Sequence, residues 1–228
     1  MDRIFYFVVK WQPLAVFISA CATAILAFLV VYQDRLRALA FRPKLDLEQG
    51  PFYPDFDAVP VIDEMTKKPL GKACYLQIRV KNYGCSPANM VEVFIAKLEK
   101  ETNGVFREVD GFYPLNLKWR HYDKVFLDRI PPDTGRDCTL GRIVNPKQKK
   151  EVNDDDPSLE LLDDRSPFRL ALAITPTTRS DLLRPGKYRL LLEISASNAI
   201  HPKKRTIELE FTGEWLPETK NMAKAKPI

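Results

Sequence analysis

Few residues in this 228-residue chain are of the types, and at the spacings, that chemistry requires. The two histidines, His121 and His201, are far apart, and neither neighbours a nucleophile motif such as G-x-S-x-G, so a hydrolytic triad lacks its usual mark. The sequence contains no H-E-x-x-H, paired C-x-x-C, P-loop or G-x-G-x-x-G, so zinc, nucleotide and dinucleotide sites lack their usual spacing. Asp154, Asp155 and Asp156, with Glu160, Asp163 and Asp164, supply the hard carboxylates that calcium takes. No glycine turn spaces them as in an EF-hand, and a solvated acidic loop is the expectation. The sequence therefore leads us to expect no catalytic residue, metal, cofactor or small-molecule substrate. Lys118-Trp119-Arg120-His121-Tyr122 interleaves cations with aromatics, a mixture that stacks bases and also anchors protein interfaces. Trp119, Arg120, His121 and Tyr122 are thus the candidate partner-binding residues; the alternative is that Trp119 and Tyr122 pack at a sheet edge with their polar ends in water. A second basic cluster, His201 to Arg205, is expected in a solvated hairpin loop.

The element that must position everything else is Trp11 to Gln33, WQPLAVFISACATAILAFLVVYQ, which carries no charge. At about 1.5 Å per residue, a helix of this length covers the roughly 30 Å hydrocarbon core of a bilayer. We assign residues 13–33 as a membrane-spanning helix, 1–12 as an aromatic lead and 34–44 as a basic juxtamembrane linker. Trp11, Tyr32, Arg35 and Arg37 are the expected contacts with the lipid interface. Ala38-Leu39-Ala40 imitates a signal-peptidase site but follows Arg35 and Arg37. Ile18-Ser19-Ala20-Cys21 resembles a lipobox, yet bilayer-grade sequence continues past the cysteine. A buried helix of a soluble core would show a polar face, and none appears. Arg35, Arg37, Arg42 and Lys44 after the span outnumber Arg3 and Lys10 before it, which places the following domain in the cytoplasm of an inner membrane; a periplasmic domain is the alternative. Three cysteines outside the span, Cys74, Cys85 and Cys138, are an odd number without motif spacing, which fits a reducing compartment.

Beyond the linker the alternation of apolar and polar residues is that of strands. Leu45 and Leu47 open a short one, and prolines at 51, 54, 60 and 69 confine the next to Val59–Ile62. Cys74, Leu76, Ile78 and Val80 alternate with Gln77, Arg79 and Lys81. A turn at Asn82, Gly84 and Pro87, with Gly84 suited to positive φ, leads into Asn89–Leu98, whose Val91, Val93 and Ile95 are core candidates. We expect these two strands to be antiparallel neighbours. Val105–Val109, Val125–Ile130 and Cys138–Val144 are further candidates. Residues 147–165 form a charged insertion with one possible helical turn. Phe168, Leu170, Leu172 and Ile174, then Tyr188 to Ile194, then Ile207, Leu209 and Phe211 alternate again. The fold class is mainly β: one antiparallel sandwich over 45–216, followed by a disordered basic tail, 217–228.

The run from Ile78 to Val93 resembles the strand-turn-strand signature V-x-N-x-G-x-x-x-A-x-x-V-x-V of bacterial immunoglobulin-like domains of the CARDB type, carried here by Val80, Asn82, Gly84, Ala88, Val91 and Val93. Pro185-Gly186-Lys187-Tyr188-Arg189-Leu190 is similar to the P-G-x-Y-x-L strand opening of such sandwiches. The resemblance covers about a sixth of the chain and implies an adhesion, spacer or partner-binding module with no shared catalytic residues. Its single copy behind a membrane span departs from the extracellular tandem-repeat pattern. The net charge of +5 lies mainly in the linker and tail, which argues against a nucleic-acid partner. The expectation is a non-enzymatic accessory or scaffold subunit of a bacterial membrane assembly, with the lipid bilayer and a protein as partners. The alternatives are a periplasmic envelope module for a glycan or polymer, and an enzyme with an unrecognised site.

Overall fold

The computed structural model describes residues 14, 16–33, 41–48, 55–62, 68–120, 124–148, 164–216, 218 and 221–228. The lead 1–12 with Trp11, the linker cations Arg35 and Arg37, nearly all of the 147–165 insertion, and His121 and Tyr122 lie outside them. Two compact units result, Met1–Arg42 and Pro43–Ile228.

In the first, Val16–Gln33 is a helix long and apolar enough to cross a membrane, and none of it is buried in the protein. Val16, Phe17, Ile18, Ile25, Leu26 and Val30 are all exposed, so apolar side chains point in every direction around the axis. The Thr23 hydroxyl donates to the Ser19 carbonyl one turn back at 2.9 Å, satisfying inside the helix a group that lipid could not.

The second unit is two antiparallel sheets packed face to face. In the first sheet, β3 (Pro69–Asn82) pairs along one side with β1 (Leu45–Leu47) and β2 (Asp55–Ile62), and along the other with β9 (Gly135–Val144). The far side of β9 carries β10 (Phe168–Leu170), followed by β11 (Leu182–Leu183), and also the short β7 (Lys118–Trp119). The second sheet is built on β4 (Ala88–Thr102), which pairs on one side with β12 (Gly186–Ser195) and on the other with β5 (Val105–Glu108), β6 (Leu115–Asn116) and β8 (Phe126–Ile130). β13 (Lys203–Phe211) and β14 (Ala223–Pro227) extend it beyond β12.

Alternation does what the sequence says it should in the long strands. Leu76, Val80, Val91, Val93, Ile95, Leu190, Leu192, Ile207 and Leu209 are all fully buried between the sheets. Each contributes roughly 1.5–3 kcal/mol of transfer free energy, which lets the sandwich form without a disulfide. The β4–β5 hairpin turns through Asn103 at φ 54° and Gly104 at φ 78°, the two positive values that match strand twist in a two-residue turn. Tyr188 is buried, donates its hydroxyl to the Arg184 carbonyl at 2.8 Å, and has its pKa pushed up to about 12 by desolvation.

Several expectations are corrected. β3 and β4 are not paired neighbours; the turn between them carries the chain from one sheet to the other. Gly84 does not adopt positive φ; the nearest residue that does is Met90, at 49°, inside β4. Ile174 is 68% exposed, because β10 ends at Leu170 and only a single bridge, Leu117 to Leu172, continues the ladder. Lys203, Lys204 and Arg205 belong to β13 instead of its preceding loop. Part of the tail forms a strand as well: Ala223–Pro227 adds to β13, with Lys224 opposite Glu210 and Lys226 opposite Glu208. Its composition is too polar to make a core, but the open edge of β13 supplies both the backbone partners and the opposite charges.

The two sheets are clasped where β1 meets β13. Arg205 donates to both carboxylate oxygens of Asp46, at 2.7 and 2.6 Å, and Lys203 lies 3.5 Å away. Burial pulls the Asp46 pKa up, but the Arg205 hydrogen bond, the Leu47 amide and the two cations outweigh it and leave it below the usual value. A depressed folded-state pKa gives stability that is complete above the unfolded value and lost as pH falls through the folded one. The unfolding midpoint should therefore decline on acidification below about pH 4. Asp46→Asn should lose about 0.5–1 kcal/mol at neutral pH and flatten that decline; chemical denaturation across pH 3–7 measures both.

Candidate functional site

The structure divides the predicted cluster at 118–122. β7 pairs with β9 so that Trp119 lies opposite Cys138 and Lys118 opposite Thr139. Cys138 faces the core, and Trp119 goes in with it, leaving 2% of its surface exposed. It is thus not the surface anchor that its aromatic character suggested, because the strand period turns it inward. Arg120 is half-buried; its amide donates to the Asp137 carbonyl at 3.0 Å and its guanidinium lies 3.9 Å from the Asp137 carboxylate. Tyr32, the one described residue of the membrane-interface set, packs tilted against Phe28 at 4.4 Å between ring centroids near the end of the apolar helix.

A concave site does exist beside this segment, built by an irregularity in β9. Register shifts by one residue between Leu76 and Gln77 of β3, so that Leu140 is the extra residue on β9. Such a bulge bends its strand and interrupts pairing. On the far side of β9, β10 covers Gly141 to Ile143 and β7 covers Cys138 and Thr139. The notch between them is bridged by Ala171, whose amide donates to the Leu140 carbonyl at 3.0 Å and whose carbonyl accepts from the Lys118 amide at 2.9 Å. Over this notch opens a cavity of about 440 Å³.

Its lining comes from the outward-facing rows. Gln77, Thr139 and Lys118 form one row across three strands, and the Thr139 hydroxyl donates to Gln77 at 3.0 Å. Tyr75, Arg142 and Arg169 form the next, and Arg142 donates to the Tyr75 hydroxyl at 3.3 Å. Arg120, Trp119, Leu170 and Leu172 contribute from the notch itself. Arg169 reaches the buried carboxylate of Asp181 at 3.1 Å. The other Asp181 oxygen and the Trp119 indole nitrogen are buried in the wall with no hydrogen-bond partner among the described residues.

The other polar features are structural. Asn82 is fully buried at the corner between the sheets, where its side chain makes four hydrogen bonds. On the second sheet's outer face opposite charges sit in pairs, Arg189 with Glu208 at 2.7 Å and Lys204 with Glu193 at 2.9 Å. Cys74 and Cys138 are buried, Cys138 with its thiol pKa pushed far up by desolvation and by the Asp137 charge, whereas Cys85 is exposed. His201 is exposed in the loop before β13. Among the described residues no group of three or more His, Cys, Asp or Glu is placed to hold a metal. The carboxylates from Asp154 to Asp163 lie outside the described residues.

Sequence reasoning singled out Lys118 to Tyr122 but not Tyr75, Thr139, Arg142 or Arg169, which share the cavity with it. In one dimension these are ordinary outward-facing strand residues, and only pairing through β9 puts them together. No family model matches the chain, and a search of the curated proteins finds no match either.

Proposed function

We propose that this chain is a membrane-tethered interaction module: a sandwich of the immunoglobulin-like, CARDB-type kind, held at a bacterial inner membrane by one helix and acting as a non-enzymatic subunit of a membrane-associated assembly. The observation that carries the reading is the Val16–Gln33 helix, 18 apolar-rich residues none of which is buried, in the same chain as an independently packed β unit. Water would oppose that much exposed hydrocarbon, and a bilayer accepts it. Tethering confines the sandwich to the membrane surface, so a modest intrinsic affinity for a protein partner acts at a high effective concentration. The excess of Arg and Lys after the span supports a cytoplasmic domain.

Cys85 makes the topology measurable. It is exposed, while Cys74 and Cys138 are buried, so the folded domain presents one reactive thiol. The expected result is that the chain stays with the membrane pellet through alkaline carbonate. A membrane-impermeant maleimide should label Cys85 in inverted vesicles and not in intact spheroplasts, and Cys85→Ser should remove that label. Labelling in spheroplasts instead would move the domain to the periplasm and favour the envelope-module alternative, and release by carbonate would end the tether reading.

A further inference from the structure

We propose that one end of the sandwich docks on the headgroup layer of an anionic bilayer. This rests on the tether reading, whichever leaflet the domain faces. Separate stretches of chain are tied together at that end. The Lys44 carbonyl accepts from the Tyr83 amide at 2.8 Å, and the Asn82 amide donates to the Thr134 carbonyl at 2.9 Å. Asn198, in the loop between β12 and β13, donates to the Pro87 carbonyl at 2.8 Å and accepts from the Asn89 amide at 3.0 Å. Tyr83, Met90 and Ile200 stand exposed here on three different segments. Met90 is held out against a backbone preference. Its φ of 49° is unfavourable for a residue with a Cβ, and both Asn89 and Met90 face outward between the buried Ala88 and Val91. The backbone thus accepts strain in an arrangement that turns a flexible apolar side chain away from the core, as suits a group covered from outside.

Exposure alone does not choose the partner, since Val105 and Tyr113 are as bare elsewhere on the domain. Chain length chooses it. Ten residue steps lead from Gln33, where the apolar helix ends, to Pro43, where the domain begins, and fully extended they span at most ~35 Å. β4 runs 15 residues from Ala88 at this end to Thr102 at the other, roughly 50 Å. The Lys44 end therefore stays within reach of the lipid, whereas the domain cannot stand upright on its Thr102 end. The charge suits anionic headgroups even with every printed pairing counted. Lys203 and Arg205 share one carboxylate, Asp46, and Lys204 pairs with Glu193. Lys44 and Arg129 are exposed, with Asp133 the exposed acid of these loops, so five cations accompany three anions. Asp128, next to Arg129, is paired with Lys124 at 3.3 Å. Apolar tips among cations make a surface that enters the headgroup layer and holds anionic lipid there.

Fluorescence quenching in the full-length chain, reconstituted in liposomes, tests the docking. Cys21→Ser removes the thiol of the apolar helix, and Cys74 and Cys138 are buried, so a bimane label reports on the exposed Cys85 of the crossing turn. Docking is reversible, which leaves Cys85 open to maleimide. In liposomes of phosphatidylglycerol and phosphatidylcholine, lipid with a headgroup nitroxide should quench this label about twofold, because docked tips lie roughly 5–10 Å into that layer. Quenching should be weaker in phosphatidylcholine alone, a comparison that needs no variant. A label on Thr102→Cys, in a chain that also carries Cys85→Ser, should keep its full intensity. Tyr83→Ser, Met90→Ser and Ile200→Ser together should restore most of the Cys85 signal; all three positions are exposed, and a parental urea midpoint verifies the fold. An unquenched Cys85, equal quenching at Thr102→Cys, in both lipid mixtures or in the folded triple variant overturns the docking while the chain still floats with the liposomes. Release of the chain by alkaline carbonate would instead strike the tether itself.

Discussion

Asn82→Ala should destabilise the sandwich by about 3–5 kcal/mol, a large share of what a domain of this size possesses. The side chain is fully buried at the point where the chain passes from β3 to β4. Its amide nitrogen donates to the Ser86 carbonyl at 2.7 Å and the Ile130 carbonyl at 3.1 Å. Its oxygen accepts from the Gly84 amide at 3.0 Å and the Lys44 amide at 3.1 Å. One residue thus joins the entry to β1, the crossing turn and the end of β8. Alanine leaves these four backbone groups without that partner, and each buried unsatisfied group costs about 1–3 kcal/mol, discounted here because Lys44 is near solvent. Asn82→Asp discriminates hydrogen bonding from packing. It has the same shape, but it presents an anionic oxygen to the carbonyls of Ser86 and Ile130, so its loss should equal or exceed that of alanine. An aspartate variant of parental stability in urea unfolding would show that only the shape of Asn82 matters.

Gly141→Ala is expected to cost about 2–3 kcal/mol, and Gly141→Val to prevent folding, although glycine here has no unusual φ. The reason is space. A Cβ built on Gly141 collides with the edge of the Phe168 ring and with the Arg169 carbonyl oxygen. Phe168 cannot move aside cheaply: it is fully buried and packs on Phe211 of the second sheet at 5.6 Å between ring centroids, with Tyr188 stacked beyond at 6.1 Å. The bulge at Leu140 is what turns Gly141 inward, opposite Leu76, when simple alternation would have sent it out. Phe168→Leu in the Gly141→Ala background should recover part of the loss, so the double-mutant cycle should show a coupling of about 1 kcal/mol or more. Strict additivity of the two changes would mean that the ring and the glycine do not compete for the same volume.

These two positions mark how far one-dimensional reasoning reaches. Asn82 was legible as a turn residue, because asparagine beside glycine and proline between two alternating runs is turn chemistry wherever the runs go. That the turn joins two sheets was not legible, since a tight hairpin and a sheet-to-sheet corner use the same residues and differ in partners supplied from Lys44 and Ile130. Gly141 carried no signal at all. In Cys138–Val144 the extra residue at the bulge breaks the two-residue period, and nothing local reports it.

The candidate site follows the same division. Lys118, Trp119 and Arg120 stood out as a mixture of cations and aromatics, and between the two readings of Trp119 its burial sides with packing in the sheet, because facing is set by pairing with Cys138 and not by composition. Arg142 and Arg169 lie 27 positions apart in the chain and meet only through the β9–β10 register.

The sequence by itself determined the apolar helix, the β class and the inward faces of the long strands, because hydrocarbon length and a period of two are local properties that survive any tertiary context. Tertiary structure alone decided the sheet assignment of each strand, the pairing of part of the tail with β13 and the cation-lined notch. Each of these depends on backbone groups finding partners far away in the chain, and a free edge or a one-residue bulge is created by the fold and recorded at no single position.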